Sequence, residues 1–298
     1  MRAIQMTGYG DVRVLTEADV ATPEIKPKQV LVMQHATAID PYDVKFRAGL
    51  MGTDSEMPLI GGSSVAGDIV AVGHEVTGFH IGDRVAANPH HKSYAEYVPV
   101  GQSLLAKIPD NVTYEQAAAS ALGAQAAYQA IYDALQLKPN ESILIHGGAG
   151  SVGFTAIQFA KKIGATPIYT TASGKGADFL KQFDHSLKVI DYKAVRFNQV
   201  IDTVDKILDT VGGQTLTDSL TILSPTGQLV STLGSNDDPR VSSFFLKSSG
   251  KSLSAVLSAI AHDNLIVKIA EVKPFNVDNL REFHDRKHTV GKLVLNFR

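Results

Sequence analysis

Three glycines spaced as G-x-G-x-x-G are the residues whose spacing points most directly to a chemistry. Gly148, Gly150 and Gly153 follow the apolar run Ile143–Ile145, which predicts a strand buried on both faces, and they precede a helical pattern. Gly148 permits a tight turn, Gly150 leaves no side chain between the backbone and a pyrophosphate, and Gly153 lets helix and strand pack closely. An ordinary glycine-rich turn is the alternative, but the flanking strand and helix favour a dinucleotide site.

The beginning of the helix after these glycines is the predicted phosphate contact. Ser151 and Val152 open the helix. A helix N-terminus presents free N–H groups and a partial positive charge, so we expect the pyrophosphate to bind there.

The residues further along distinguish the two nicotinamide cofactors. An Asp or Glu about 20 residues beyond the glycines binds the ribose 2′-hydroxyl of NAD. Residues 168–175 contain no carboxylate, whereas Ser173 and Lys175 could bind a 2′-phosphate through charge-assisted hydrogen bonds. The alternative is that Lys175 merely begins a solvated helix. We therefore expect NADPH rather than NADH.

Strands and helices alternate around the glycine loop. Helical patterns at 154–163, 175–183 and 214–223 separate strand-like runs, which lie at 143–145, 166–171, 188–191, 206–209 and 227–233. This rhythm predicts a parallel sheet covered by helices on both faces. Thr113, with Gln116 completing a capping box, marks the beginning of this domain, which we place at residues 113–261.

The first hundred residues have a different character. Short strand-like runs at 30–33, 69–73, 84–87 and 94–98 are separated by Gly and Pro, which predicts a small barrel or sandwich. Residues 40–49 predict a short helix or turn between two strands. Isolated strands return at 266–269 and 293–295, so we expect a discontinuous domain formed by residues 1–112 and 262–298.

Composition limits the class of protein. The chain has 298 residues, of which 44% are hydrophobic and 19% charged, as in a soluble globular protein with two domains. A net charge of −2 without a basic block argues against nucleic acid as a partner. The absence of cysteine excludes disulfides, thiolate nucleophiles and sulfur-based zinc sites. No signal-peptide pattern and no run of ~18 apolar residues is present, so we expect a cytoplasmic protein without a membrane span.

Several short motifs resemble those of the medium-chain dehydrogenase/reductase superfamily, and within it the zinc-independent quinone oxidoreductase (zeta-crystallin-like) branch. They are AAA at 117–119, AAYQA at 126–130, HGGAGSVG at 146–153, TTAS at 170–173, VIDY at 189–192 and DTVGG at 209–213. The resemblance extends to GSSVAG at 62–67, GDRV at 82–85 and GKLVL at 291–295, and so over essentially the whole chain.

This resemblance implies an α/β fold, with a GroES-like β-rich catalytic domain and a Rossmann domain built on a doubly wound parallel sheet. The active site would lie in the cleft beside the Rossmann domain. The positions that bind catalytic zinc in the alcohol dehydrogenases of this superfamily are occupied here by Asp40, Ser63, Ser64 and Leu122. These side chains do not supply the nitrogen or sulfur ligands of a tetrahedral site, so we expect no metal.

The resemblance also places Asp40, Tyr42, Lys45 and Ser63 near the catalytic cleft. Related reductases commonly have Asn at the Asp40 position and Tyr at the Lys45 position. Asp40 could bind the ribose or amide of the cofactor, and Lys45 could donate to the acceptor oxygen. Alternatively, Asp40 is only a turn residue before Pro41, and Lys45 a surface lysine.

On the cofactor side, the resemblance places Tyr192 near the adenosine phosphate and Gly234 at the end of the strand that approaches the nicotinamide. Asp209 begins a loop at the end of the preceding strand. Ligands bind at the carboxyl ends of strands in such sheets.

The adjacent pair His90-His91 could suggest a metal site. Neighbouring side chains of an extended segment point apart, so the pair is a poor chelate. A polar loop is the favoured interpretation, and this loop could line the mouth of the active site.

Three functions remain in competition. The leading one is an NADPH-dependent enzyme that transfers hydride to a quinone. The second is NADPH-dependent reduction of activated C=C bonds in enals or enones. The third is a non-enzymatic protein that binds NADPH and works by interaction. The resemblance also implies a homodimer, paired through the edge of the Rossmann sheet.

Overall fold

The structure is a computed structural model that describes residues 1–287 and 289–297. It divides into two compact units, the first formed by residues 1–125 and the chain from 248 onward, and the second by residues 126–247. The predicted boundaries were 112/113 and 261/262.

The strands, in chain order, are β1 (Arg2–Met6), β2 (Leu15–Asp19), β3 (Gln29–Ala38), β4 (Leu59–Ile60), β5 (Val65–Val72), β6 (Arg84–Ala87), β7 (Tyr97–Gly101), β8 (Ala106–Lys107), β9 (Ile143–Ile145), β10 (Ile168–Ala172), β11 (Lys188–Asp191), β12 (Val204–Asp209), β13 (Leu223–Ser231), β14 (Val241–Ser243), β15 (Ile269–Pro274) and β16 (Lys292–Asn296). The α-helices are α1 (Pro41–Arg47), α2 (Tyr114–Ser120), α3 (Gly123–Tyr128), α4 (Ser151–Ile163), α5 (Lys175–Phe183), α6 (Gln214–Ser219), α7 (Gly250–His262) and α8 (Val277–Asp285). A π-helical segment, Gln129–Ala134, follows α3.

The first unit extends beyond the predicted boundaries because α2 and α7 pack on its strands. Alanines of α2 share a buried cluster with Leu253 and Leu257 of α7 and with residues of β3, β5 and β16. The approach of α7 is close, since a Cβ on Gly250 would lie 2.1 Å from the carbonyl oxygen of Leu105. The predicted N-cap of α2 is confirmed: Thr113 and Gln116 form the capping box.

The second unit contains a six-stranded sheet with the order β11-β10-β9-β12-β13-β14, and every pairing in it is parallel. Numbered within the unit, this order is 3-2-1-4-5-6, the order of dinucleotide-binding sheets. The prediction of a doubly wound parallel sheet is therefore confirmed. Its central strand β9 is fully buried along its length, as its three apolar residues predict.

The first unit contains two sheets. The larger has the order β15-β16-β3-β5-β6-β8, with β7 also paired to β3, and the smaller has the order β2-β1-β4. The C-terminal strand β16 pairs with β3, Val294 lying opposite Ala38, so the end of the chain returns to the first unit. This pairing brings β16 beside the segment that leads into α1.

Two features near the end of the chain differ from the expectation. The strand predicted at 266–269 begins only at Ile269 and continues to Pro274. Helix α8 was not predicted, because its only large apolar residues are Val277, Leu280 and Phe283 among charged neighbours. Its N-cap, Asn276, accepts a hydrogen bond from the N–H of Asn279 at 2.8 Å.

Within residues 1–287 and 289–297, every helix is too short or too polar to span a bilayer.

Candidate active site

The glycine loop connects β9 to α4, and its tightest point is Gly147. Gly147 has a φ of +67°, the left-handed conformation that favours glycine, and its carbonyl accepts the N–H of Gly150 at 2.9 Å. The sequence had assigned the tight turn to Gly148, whose φ is not positive. The turn therefore begins one residue earlier than the motif implies.

Gly148 and Gly153 are required by close approach. A Cβ on Gly148 would lie 1.9 Å from Oγ1 of Thr170, and a Cβ on Gly153 would lie 2.4 Å from the carbonyl oxygen of Gly147. Gly150 is the N-cap of α4, where a Cβ would lie 3.2 Å from the same oxygen. This backbone cradle fits a pyrophosphate, because the first turn of α4 has N–H groups without intrahelical partners. Those N–H groups belong to Ser151, Val152 and Gly153.

A buried histidine that the sequence did not single out lies directly before the glycine loop and hydrogen-bonds to residues that hold it. His146 is fully buried, with Nδ1 3.1 Å from Oγ1 of Thr171 and Nε2 2.9 Å from Oγ of Ser219. Burial lowers the pKa of His146 to about 4, so its ring is neutral at pH 7. Thr171 Oγ1 also accepts the N–H of Gly147 at 3.2 Å. No local sequence signal marks His146, because both partners lie on other elements.

The residues expected to bind the adenosine end follow β10 and β11. Gly174, with a φ of +50°, turns the chain into α5, whose first residue is the exposed Lys175. Ser173 is half-buried beside it. Tyr192 follows β11, its N–H donates to the carbonyl of Ala172 at 3.3 Å, and the residue is 55% exposed. Ser173, Lys175 and Tyr192 therefore lie on neighbouring loops at the carboxyl edge of the sheet.

Asp209 has a different position from the one expected of a ligand contact. It is fully buried, and its carboxylate accepts hydrogen bonds from the N–H of Gly212 at 3.0 Å and from Oγ of Ser231 at 2.7 Å. The N–H of Val211 adds a third donor at 2.9 Å. Because both oxygens are occupied, Asp209 holds the loop after β12 in place. Gly234 follows β13, and its carbonyl accepts from a nearby serine, Ser243.

In the first unit, Asp40 is the N-cap residue of α1, with Pro41 at the first helical position. Its carboxylate is buried, accepts a hydrogen bond from Oγ of Ser64 at 2.5 Å and contacts the ammonium of Lys292. Lys292 also donates to the carbonyl of Ile39 at 2.7 Å. The carboxylate of Asp40 is therefore committed to protein partners. Lys292 was visible in the sequence only as part of the terminal GKLVL motif.

Ser63 is also buried, and its hydroxyl donates to Oδ1 of Asp43 at 2.5 Å. The sequence did not single out Asp43. Burial and the neighbouring charge of Asp40 raise the pKa of Asp43 to about 7. The two carboxyl groups lie three residues apart at the beginning of α1, and only burial of both distinguishes them from an ordinary solvated helix start.

Tyr42 and Lys45 are the partly exposed members of the expected catalytic set. The ring of Tyr42 lies 6.0 Å from that of His90 and 6.1 Å from that of His91, measured between centroids. Burial lowers the pKa of both histidines, so both are neutral at pH 7. Burial and the charge of Asp43 raise the pKa of Tyr42, which keeps its hydroxyl protonated. The rings of His90 and His91 thus line one side of the space beside Tyr42, and we call these two rings the wall.

The donor set at the zinc position of related dehydrogenases does not fit zinc. The carboxylate of Asp40 is paired with Lys292, and the hydroxyls of Ser63 and Ser64 donate to carboxylates. The fourth position is Leu122. Tetrahedral zinc requires nitrogen, thiolate or free carboxylate ligands. Among the residues that the structure describes, no three His, Asp or Glu side chains are arranged to hold a metal ion.

Comparisons with known proteins agree with both halves of this fold. Residues 26–139 match the family described as "Alcohol dehydrogenase GroES-like domain", and residues 151–263 match that described as "Zinc-binding dehydrogenase". The chain is 39% identical over 224 residues to the 2-methylene-furan-3-one reductase of Solanum lycopersicum, a match that covers 71% of this chain and 57% of that protein.

Two further similarities cover nearly the whole chain. The first is to the chloroplastic NADPH-dependent alkenal/one oxidoreductase of Arabidopsis thaliana, at 31% identity over 99% of this chain and 79% of that protein. The second is to the structure of the quinone oxidoreductase from Coxiella burnetii, with a TM-score of 0.92 and 30% identity over 100% of this chain and 99% of that one. The GroES-like prediction for the first unit is confirmed.

Proposed function

The chain belongs to the medium-chain dehydrogenase/reductase superfamily, in its quinone oxidoreductase branch, and from this premise we propose that it reduces a quinone with NADPH. The observation that carries the proposal is the backbone cradle at Gly148 and Gly153, where no side chain can be added. It lies at the carboxyl end of β9, where the strand order reverses, which is the binding position in such sheets.

The second unit supplies the groups that would hold the cofactor. The free N–H groups of Ser151 and Val152 bind the pyrophosphate. Ser173 and Lys175 bind the 2′-phosphate, because a hydroxyl and an ammonium stand where NAD-specific sheets carry a carboxylate. Tyr192 flanks the adenosine. Asp209 acts indirectly, through the loop that it holds.

The first unit supplies the groups for the acceptor. Bound NADPH supplies the hydride. As negative charge develops on the acceptor oxygen, the hydroxyl of Tyr42 or the ammonium of Lys45 stabilises it, since these two side chains are partly exposed. Asp40 and Ser63 are buried, so they do not contact the acceptor and instead hold α1 in position. The wall of His90 and His91 limits the space beside Tyr42.

A second candidate is the reduction of activated C=C bonds in enals or enones. It is favoured by the similarity to an alkenal/one oxidoreductase over 99% of the chain. The same two donors on α1 would stabilise the enolate oxygen that hydride addition creates.

The test is NADPH consumption in the presence of a panel of quinones and of enals, each with NADH as the matched control cofactor. Turnover that is faster with quinones than with enals supports the leading function, and the reverse order supports the second. Tight NADPH binding with no turnover of any acceptor would overturn both and favour a protein that binds NADPH and works by interaction.

We also propose a homodimer paired through β14. In the part of the chain that the structure describes, β14 pairs with β13 and forms the end of its sheet, and an exposed edge is a template for pairing. Light scattering should give twice the chain mass. Arg240 and Phe244 hydrogen-bond to β13, so the N–H of Ser243 points to the open edge, and Ser243→Pro should give a monomer by removing it. A monomer in the unmodified protein would overturn this assignment. Location in the cytoplasm stays a prediction, to be tested by cell fractionation.

A further inference from the structure

A chain of buried hydrogen bonds in the first unit ends at Asp43. Nε of Arg47 donates to Nδ1 of His284 at 3.3 Å. Since Arg47 has no acceptor, Nδ1 of His284 must accept, and the ring proton of the neutral histidine must lie on Nε2. Nε2 is 2.9 Å from the hydroxyl oxygen of Tyr94, and the Tyr94 hydroxyl donates to Oδ2 of Asp43 at 3.2 Å. The direction of every donor is therefore fixed.

The opposite oxygen of Asp43 meets a hydroxyl with two possible acceptors. Oγ of Ser63 is 2.5 Å from Oδ1 of Asp43 and 3.2 Å from the carbonyl oxygen of His90. Ser63 has one hydroxyl hydrogen, so it can donate to one of these acceptors at a time. When Asp43 is ionised, its carboxylate accepts the hydrogen bond from Ser63. A protonated Asp43 donates its own hydrogen to Ser63, which then donates to His90.

The backbone at His90 needs such support. His90 and Lys92 have φ values of +68° and +78°, left-handed conformations that non-glycine residues adopt at a cost. Nε2 of His90 is held at 3.0 Å from Oγ of Ser248, and its ring forms the wall beside Tyr42. A hydrogen bond to the His90 carbonyl therefore bears directly on the position of that wall.

We propose that Asp43 is a positioning residue for the acceptor side of the site: through the hydroxyl of Ser63 it controls whether the carbonyl of His90 is held, and so orders the loop 88–93 against Tyr42. Only the expected effect on turnover rests on the proposed function. The hydrogen-bond switch itself is a property of the first unit.

Among Asp43 and the neighbours described next, Asp43 is the group that gains or loses a proton near neutral pH. Burial and the charge of Asp40 raise its pKa to about 7, against the opposing effects of the Ser63 hydrogen bond and of Lys292. From α8, His284 stays neutral, because burial and the charge of Arg47 lower its pKa to about 3. Tyr94 stays protonated, because burial raises its pKa well above the usual value.

The test follows the backbone amide of His91 by NMR as a function of pH, without cofactor or acceptor. The nitrogen of that amide is bonded to the His90 carbonyl carbon, so its chemical shift reports the hydrogen bond from Ser63. We expect an inflection near pH 7 in the unmodified protein and in the control Asp110→Asn, an exposed site of the same unit. Asp43→Asn should hold the acidic-limb value at every pH, and Ser63→Ala should lose the inflection.

An inflection of undiminished size in Ser63→Ala would overturn the proposal, even where Asp43→Asn fails to fold. In turnover, the KM for the acceptor should change about threefold or more across this inflection in the unmodified protein. Asp43→Asn should keep the acidic-limb KM at every pH with little change in kcat, since the position of the loop rather than the chemistry is altered. NMR results as expected, in a protein that turns over no acceptor, would contradict the proposed function and leave this switch intact.

Discussion

The ammonium of Lys292, on the C-terminal strand β16, contacts the carboxylate of Asp40 at the beginning of α1, and the two side chains are only 6% and 1% exposed. Replacement of Lys292 by Met leaves that carboxylate buried without a counter-charge, with the hydroxyl of Ser64 still donating to it. We expect a loss of about 3–5 kcal/mol in the free energy of unfolding, measured by urea denaturation.

The control for this pair is the double variant Lys292→Met with Asp40→Asn. It removes both charges, so it should recover most of the lost stability. Equal losses in the single and double variants would show that packing rather than charge pairing holds β16 to α1.

Lys175 begins α5, and its side chain is exposed. If it binds the 2′-phosphate, Lys175→Ala should weaken NADPH binding about tenfold or more and leave NADH binding unchanged. Calorimetric titration with both cofactors measures this. The matched control is Lys181→Ala, an exposed lysine in the last turn of the same helix. An equal loss for both cofactors would refute the assignment.

Gly153 packs so closely on the glycine loop that Gly153→Ala forces α4 away from Gly147. We expect NADPH binding to weaken about tenfold or more, because the helix N-terminus no longer meets the pyrophosphate. Gly101→Ala is the control, since that position has a φ of −68° and no atom within 4 Å of the added Cβ. Unchanged NADPH affinity in Gly153→Ala would contradict the assigned cradle.

Because His284 is buried, it should make the free energy of unfolding of the first unit depend on pH in the acid range. Burial and the charge of Arg47 lower its folded-state pKa from the usual 6.5 to about 3, so between these pH values the unfolded chain binds a proton that the folded chain does not. Stability should therefore fall as pH decreases from about 6.5 toward 3. His284→Gln should remove up to one proton from that slope, in urea denaturation repeated at several pH values.

The exposed His185 supplies the control for the pH experiment. His185→Gln should leave the slope of stability against pH as in the unmodified protein. The assignment fails if His284→Gln also leaves it unchanged.

Local sequence was sufficient where one element carries all the information. The apolar run before the glycines predicts β9, and the bounds predicted for α5 and β11 match the structure at both ends. The parallel order followed from the alternation of strands and helices, because a crossover helix returns the chain in the same direction. The less regular elements were harder, since the three apolar residues of α8 give a weak helical pattern.

The sequence by itself determined the fold class, because strands and helices alternate regularly along residues 143–233. It also determined the glycine loop and the choice of NADPH as the expected cofactor, because each of these two depends on residues within one βαβ unit. It could not find Lys292, Asp43 or His284 as members of one buried network. Lys292 meets Asp40 across 252 positions of the chain, and Tyr94 meets His284 across 190. Only the pairing of β16 with β3 and the packing of α8 bring these groups together. Burial then gives them pKa values and fixed proton positions that an extended chain does not have.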